Sequence, residues 1–203
     1  MSFHPEWIRG QLLKTQNQDP KNCPPLHGIN GDLTQPAAVL IPLVQEDGIW
    51  KLLFIKRTLH KNDPHGGQIA FPGGRMEKED SSLLDTALRE AREEIGLSPN
   101  DVEVLGKSCL ITTVTDYKIN PYVGILPWPY PLVLSLDEVE KTFLIPLDWL
   151  IDPAHRQTRS WQSRSTPGKN LPVIFFNEFE GEILWGATAQ IVSDFLELIE
   201  QPH

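Results

Sequence analysis

Three glutamates, Glu90, Glu93 and Glu94, fall within one stretch of five residues, and Arg89 directly precedes the first. On a helix, Glu90 and Glu94 lie one turn apart, so both can reach a single ion, while Glu93 can hold a second ion or shape the first shell. Mg²⁺ suits such a set because it favours oxygen ligands and is commonly held by one or two carboxylates, waters and substrate phosphates. The competing reading of any charged helix is a solvated face, here with Arg89 paired to Glu93 at i,i+4 and able to reach Asp85. What separates the two readings is context. Gly73-Gly74 and a short acidic loop stand immediately upstream, and glycines let the backbone come close to a metal and a diphosphate.

The elements that must position these groups follow from local signals. Ser81 or Ser82 can cap the first amides of the helix, Asp80 and Asp85 suit its positive end, and Gly96 with Pro99 stops it. At about 100° per residue, Leu84, Leu88, Ala91 and Ile95 form a core-facing stripe, and the three glutamates share the opposite face. Upstream, the apolar runs 36–44 and 49–57 flank Gln45-Glu46-Asp47-Gly48, which predicts a hairpin with Asp-Gly in its turn. Further strands are expected at 102–114, 119–126, 139–145, 157–164 and 172–177, with helices at 147–152 and 188–200. The first 35 residues are polar and rich in Asn, Gln, Pro and Gly, apart from a WIRGQLL stretch suited to a helical arm. A mixed sheet between helices, an α+β fold of the α/β/α sandwich kind, is the natural architecture.

Composition bounds the function. With 203 residues the chain suits one globular unit, read as an N-terminal arm over 1–35 and a domain over 36–200. A net charge of -9 disfavours a nucleic-acid binder, which needs clustered Lys and Arg, yet is compatible with metal ions bridging carboxylates to phosphates. Cys23 and Cys109 have no metal-ligand spacing and read as buried or inert thiols, with no disulfide indicated. The opening MSFHPEWIRGQ has no apolar run after a basic flank, and no segment approaches the ~18 apolar residues of a membrane helix, so a soluble, cytoplasmic protein without a membrane partner is expected. Trp128 is a candidate for stacking on an adenine, though loop packing is the commoner role, and Trp161 and Trp185 are assigned to packing.

The run Arg89-Glu90-Ala91-Arg92-Glu93-Glu94-Ile95-Gly96-Leu97 after Gly73-Gly74 resembles the Nudix box, G-x5-E-x7-R-E-U-x-E-E-x-G-U with U aliphatic. The downstream half matches completely. Upstream, Asp80 stands where Glu is expected, and eight residues separate it from Arg89 instead of seven. That expansion, with Phe71-Pro72-Gly73-Gly74 and Thr86-Ala87-Leu88-Arg89-Glu90-Ala91, is similar to the branch of coenzyme A diphosphatases. Further likeness runs through 37–43, 65–74, 119–127, 137–153 and 183–196.

The resemblance implies a Nudix fold and Mg²⁺ or Mn²⁺ held by Glu90 and Glu94 with Glu93 assisting. Arg89 would orient Glu93 or Asp80. The expected reaction is attack of water on a diphosphate phosphorus, the ions neutralising phosphate oxygens. The base would be Glu94 or Glu93, with Glu138 as a further candidate. Arg57, His65, Gly73 and Gly74 are the expected substrate contacts, with Lys56 and Lys61 as further cations. Coenzyme A is the expected substrate, cut to adenosine 3′,5′-bisphosphate and 4′-phosphopantetheine. Asp63, however, occupies the position of a second arginine in that branch, which leaves ADP-ribose, NADH or another nucleoside diphosphate derivative as alternatives. A non-catalytic nucleotide-binding module is the alternative of another class. A homodimer is compatible with the chain.

Overall fold

The computed structural model describes residues 3–16, 35–61, 63, 65–113, 117–162 and 170–200. Cys23, most of the polar lead-in and the ends of two expected strands, at 114 and 163–164, lie outside the described residues.

Strands β1 (Gln35–Glu46) and β2 (Ile49–Arg57) form the expected hairpin, with Leu43 opposite Leu52. Asp47 (φ 51°) and Gly48 (φ 78°) both take left-handed conformations, as a two-residue hairpin turn demands. Strand β1 is the centre of the sheet and exchanges partners along its length. Short strand β4 (Gly73–Arg75) pairs with Ala37–Val39, and β2 pairs from Leu43 onward. Pro42, which lacks an N–H, sits in the gap between those two pairings. On the other side β1 runs parallel to β7 (Tyr117–Ile125).

Among the described residues, the sheet runs β3-β2-β1-β7-β5, with β4 on β1, β6 on β7 and β8 on β2. Here β3 is Ile69–Ala70, β5 Glu103–Lys107, β6 Ile111–Thr112 and β8 Val139–Pro146. Side chains alternate across it with period two. Ile41, Leu43, Leu52 and Phe54 enter one apolar layer, whereas Ala38, Leu40, Val44, Leu53 and Ile55 enter the other. Helix α2 (Leu83–Ile95) closes the second layer. The first is closed by α1 (Pro5–Gln16), α3 (Leu147–Ile151) and α4 (Gly186–Glu200). Part of its cover also comes from a three-stranded sheet of β9 (Arg156–Gln162), β10 (Asn170–Phe179) and β11 (Glu182–Trp185). A mixed sheet between helical layers is the expected α+β sandwich. The sequence signals did not separate β11 from α4. Helix α1 belongs to the same core, with Ile8 and Leu12 fully buried and the Trp7 indole donating to the Ile199 carbonyl at 3.2 Å.

Two expectations need correction. The strand expected over 102–114 is interrupted: between Lys107 and Ile111 it spends one more residue than β7 does, beside Pro121, which has no N–H to donate. Cys109 is not a free thiol; it is buried and disulfide-bonded. Trp161 packs against Trp185, at 5.2 Å between ring centroids, but is 44% exposed because β9 is an edge strand. No helix among the described residues is long and apolar enough to cross a membrane.

A buried acid on α4 yields a stability prediction. Asp194 accepts from the Gln190 amide at 2.7 Å through Oδ1, while its buried Oδ2 has no partner among the described residues. Burial, with Glu197 nearby, raises its pKa to about 6. A carboxyl that ionises less readily folded than unfolded favours the fold while protonated, and that contribution is lost as pH climbs from the unfolded value of 3.8 through 6. Asp194→Asn should therefore raise the melting temperature at pH 7.5 by several degrees, equivalent to about 1–3 kcal/mol, with the gain vanishing toward pH 4. Equal melting curves at pH 7.5 would contradict this.

Candidate active site

Helix α2 starts and stops where its caps dictate. The Ser82 hydroxyl accepts from the Asp85 amide at 3.1 Å, and Gly96 ends the helix in the left-handed region. Its buried face is made by Thr86, Ala87, Ala91, Glu94 and Ile95. That face is rotated from the stripe expected from the wheel, and Leu84 and Leu88 are only partly covered. Two alanines against Ala38 of β1 and the glycines of β4 let the helix lie close to the strands. Glu94 thereby turns inward and is 1% exposed, so the three glutamates do not share one solvated face.

The Gly73 N–H donates to Glu94 Oε2 at 2.9 Å, and Arg57 Nη1 stands 3.8 Å from Oε1. Burial, reinforced by the charges of Glu90 and Glu138, drives the Glu94 pKa up to about 8 against these two opposing contacts. Burial likewise pushes Glu90 up, partly offset by Arg89. Glu90 is fitted to the second glycine: a Cβ on Gly74 would come 2.3 Å from its Oε1. The exposed Glu138, at the start of β8, acts electrostatically on both glutamates. Two carboxylates from α2 therefore lie against the Gly73-Gly74 backbone, within the electrostatic reach of a third, Glu138.

Arg89 fixes the other half of the box. Its Nε and Nη2 donate to the two oxygens of Asp80 at 2.9 and 3.1 Å, Nη1 reaches Glu93 at 2.9 Å, and Nη2 also lies 3.0 Å from Glu90 and 3.1 Å from the Arg75 carbonyl. Both carboxylates named as its candidate partners are thus engaged. The Arg89 hydrogen bond holds Asp80 down to a pKa of about 2, helped by the Glu77 amide and the Thr86 hydroxyl. Glu93, 47% exposed at its side chain, faces Arg89 on the outer side.

The segment after β2 forms the opposite wall. Arg57 Nη2 donates to Asp63 Oδ2 at 3.2 Å. The Thr58 amide donates to the Glu138 carbonyl at 2.9 Å, the Thr58 hydroxyl to the Leu136 carbonyl at 3.0 Å, and His60 meets the Asp137 carbonyl, so this wall carries the strand start that presents Glu138. His65 is exposed, its amide bonded to Asp63 and its ring 3.3 Å from Gln68 Oε1. Lys56 is engaged with Glu140 and Glu182, tying the large sheet to β11, and Lys61 is exposed. The Trp128 indole donates to Glu46 at 2.9 Å, and its ring packs in the layer beneath α2.

Among the described residues no three His, Cys, Asp or Glu side chains converge as a ready-made ion cage. The donor chemistry still fits a divalent cation: two mutually repelling carboxylates, the buried Glu94 and the half-buried Glu90, lie against a glycine backbone that leaves no room for a Cβ. Sequence reasoning did not find Thr86, which is fully buried to hold Asp80, nor the Arg57–Asp63 contact, because both depend on the fold of a loop.

The two glycines should respond differently to alanine. A Cβ on Gly73 would come 2.4 Å from the Ala38 carbonyl oxygen and 2.6 Å from Val39 Cα, both backbone. Gly73→Ala should cost at least ~1–3 kcal/mol of stability. At Gly74 the obstruction is the end of a side chain, so Gly74→Ala should keep a near-normal melting temperature while displacing Glu90. Thermal unfolding of both variants checks this, and equal destabilisation would contradict it.

Residues 34–163 match the NUDIX domain. The chain is 34% identical over 187 residues to the uncharacterized Nudix hydrolase NudL of Shigella flexneri serotype 5b, covering 92% of this chain and 88% of that one. It is 35% identical over 158 residues to NudL of Escherichia coli strain SMS-3-5, covering 78% and 79% respectively. The fold is similar to the crystal structure of a MutT/nudix family protein from Enterococcus faecalis, with a TM-score of 0.53, 16% identity, and coverage of 97% of this chain and 73% of that one. With the box residues gathered on α2 and β4 and this extent of likeness, the chain belongs to the Nudix family.

Proposed function

We propose that the chain is a divalent-cation-dependent hydrolase that cleaves the diphosphate linkage of a nucleoside diphosphate derivative, with coenzyme A as the foremost substrate. The observation that carries the reading is the pair of carboxylates, buried Glu94 and half-buried Glu90, pressed against Gly73-Gly74 within the field of Glu138. Perturbed carboxylates of this kind in a cleft mark functional sites. Glu90 and Glu94 would hold Mg²⁺ or Mn²⁺, which neutralises phosphate oxygens and makes water more acidic.

The chain's own residues do the rest. Gly73 and Gly74 admit the diphosphate close to the backbone. Arg57 offers its guanidinium to a phosphate oxygen, the pairing for which a planar fork of donors is suited. Arg89 holds Asp80, Glu90 and Glu93 in fixed relation, so the loop and helix keep one geometry. Glu138, exposed at the mouth and not engaged by Arg89, accepts the proton of the attacking water; Glu93, held by Arg89, is the weaker base for this step. Coenzyme A is supported by the likeness of FPGG and TALREA to the coenzyme A branch. A less anionic substrate such as ADP-ribose is favoured by a different observation, the Asp63 carboxylate beside Arg57.

Assays of coenzyme A, ADP-ribose and NADH with and without Mg²⁺ or Mn²⁺, with products identified, test the proposal. Wild type should turn over at least one of them only with the cation. Glu94→Gln and Glu138→Gln should each lose on the order of 10²-fold or more in kcat. No cation-dependent cleavage of any diphosphate would sink the reading; ADP-ribose cleavage without coenzyme A cleavage would replace the substrate.

A further inference from the structure

Arg57 stands between two carboxylates, and its position is unusual for a cation so placed. Its Nη1 is 3.8 Å from the buried Glu94 Oε1, beyond hydrogen-bonding range, while its Nη2 donates to Asp63 Oδ2 at 3.2 Å. Its Nε–H is buried and has no partner among the described residues. A guanidinium beside a buried carboxylate gains most by closing onto it, since attraction grows as the dielectric falls. Something holds Arg57 back.

The holder is itself fixed independently of the Arg57 side chain. The Asp63 amide donates to the His60 carbonyl at 3.1 Å, and its own carbonyl accepts from Gly66 at 3.2 Å. Its Oδ1 accepts from the His65 amide at 2.9 Å. The segment is closed at its ends by Arg57, whose amide donates to the Gln68 carbonyl at 3.0 Å and whose carbonyl accepts from Gly67 at 2.9 Å. At Gly66 a Cβ would come 3.2 Å from the His60 nitrogen and the Thr58 oxygen, so the turn is compact. Asp63 therefore serves two masters with its two oxygens: Oδ1 shapes the turn and Oδ2 takes the arginine.

We propose that Asp63 is a positioning residue that holds the Arg57 guanidinium off Glu94, leaving Glu94 to the cation and the partly exposed end of the Arg57 guanidinium to a phosphate oxygen of the diphosphate. This rests on the proposed reading of the site as a diphosphate hydrolase.

The two oxygens make the role separable. Asp63→Asn keeps an acceptor for the His65 amide but offers Arg57 neither charge nor a second acceptor, whereas Asp63→Ala removes both. Binding of α,β-methylene ADP with Mg²⁺ is measured by calorimetry, alongside KM and kcat for the cleaved diphosphate. The proteins are wild type, both Asp63 variants, Arg57→Ala and the Asp63→Asn/Arg57→Ala double variant. Asp63→Asn should melt within about 2 °C of wild type, weaken the analogue and raise KM roughly tenfold, with a smaller change in kcat. The double variant should bind no worse than Arg57→Ala alone, as coupled residues require. A wild-type-like Asp63→Asn with only Asp63→Ala impaired, or losses that add in full in the double variant, would overturn the positioning role alone. Failure of the wild type both to bind the analogue and to cleave any diphosphate would overturn it together with the reading of the site.

Discussion

Burying the Glu94 carboxylate between helix α2 and strand β4 is the constraint on which the site depends. Taking an ionised carboxylate out of water is costly, and among the described residues it receives only the Gly73 N–H and an arginine 3.8 Å away. The surrounding residues follow from accommodating it. Ala87 and Ala91 bring the helix close to the strands, and the glycines of β4 supply a donor without a side chain. Pro42 marks where β1 leaves β4 for β2, so that β4 can lie beside the helix. A cation is the group that would relieve both Glu90 and Glu94 at once.

Arg89 explains how three neighbouring glutamates come to differ. By binding Asp80, Glu90 and Glu93 together it joins the acidic loop to the helix and turns Glu93 outward, while Glu94, one residue on, falls on the buried side. The extra residue between Asp80 and Arg89 does not break this link: the shorter Asp still meets the arginine with both oxygens, and Thr86 supports it. Stability and site geometry are thus carried by the same side chains.

Much of this was legible in the sequence because it is local. The Asp47-Gly48 turn, the Ser82 and Gly96 caps and the period-two runs of β1 and β2 each state their conformation within a few residues. The box motif also named the residues that the fold gathers on α2 and β4. A helical wheel, however, knows one helix and no neighbours, so it set Glu94 on the solvated face; the covering strand β4 is only three residues long and has no periodicity to detect. The Arg57–Asp63 contact is set by a turn whose geometry comes from backbone hydrogen bonds. The disulfide at Cys109 and the exposure of Trp161 likewise depend on partners remote in sequence or on an open sheet edge.

The most direct test of the central claim, that the glutamate pair is held ready for a cation, is thermal unfolding of wild type and Glu94→Gln in chelator and in millimolar Mg²⁺ or Mn²⁺. The account predicts that the cation raises the wild-type melting temperature markedly and leaves Glu94→Gln nearly unmoved. It also predicts that Glu94→Gln is the more stable protein in chelator, because the amide keeps the Gly73 hydrogen bond without a buried charge. An equal cation-induced rise in both proteins, or a Glu94→Gln variant less stable than wild type in chelator, would contradict it.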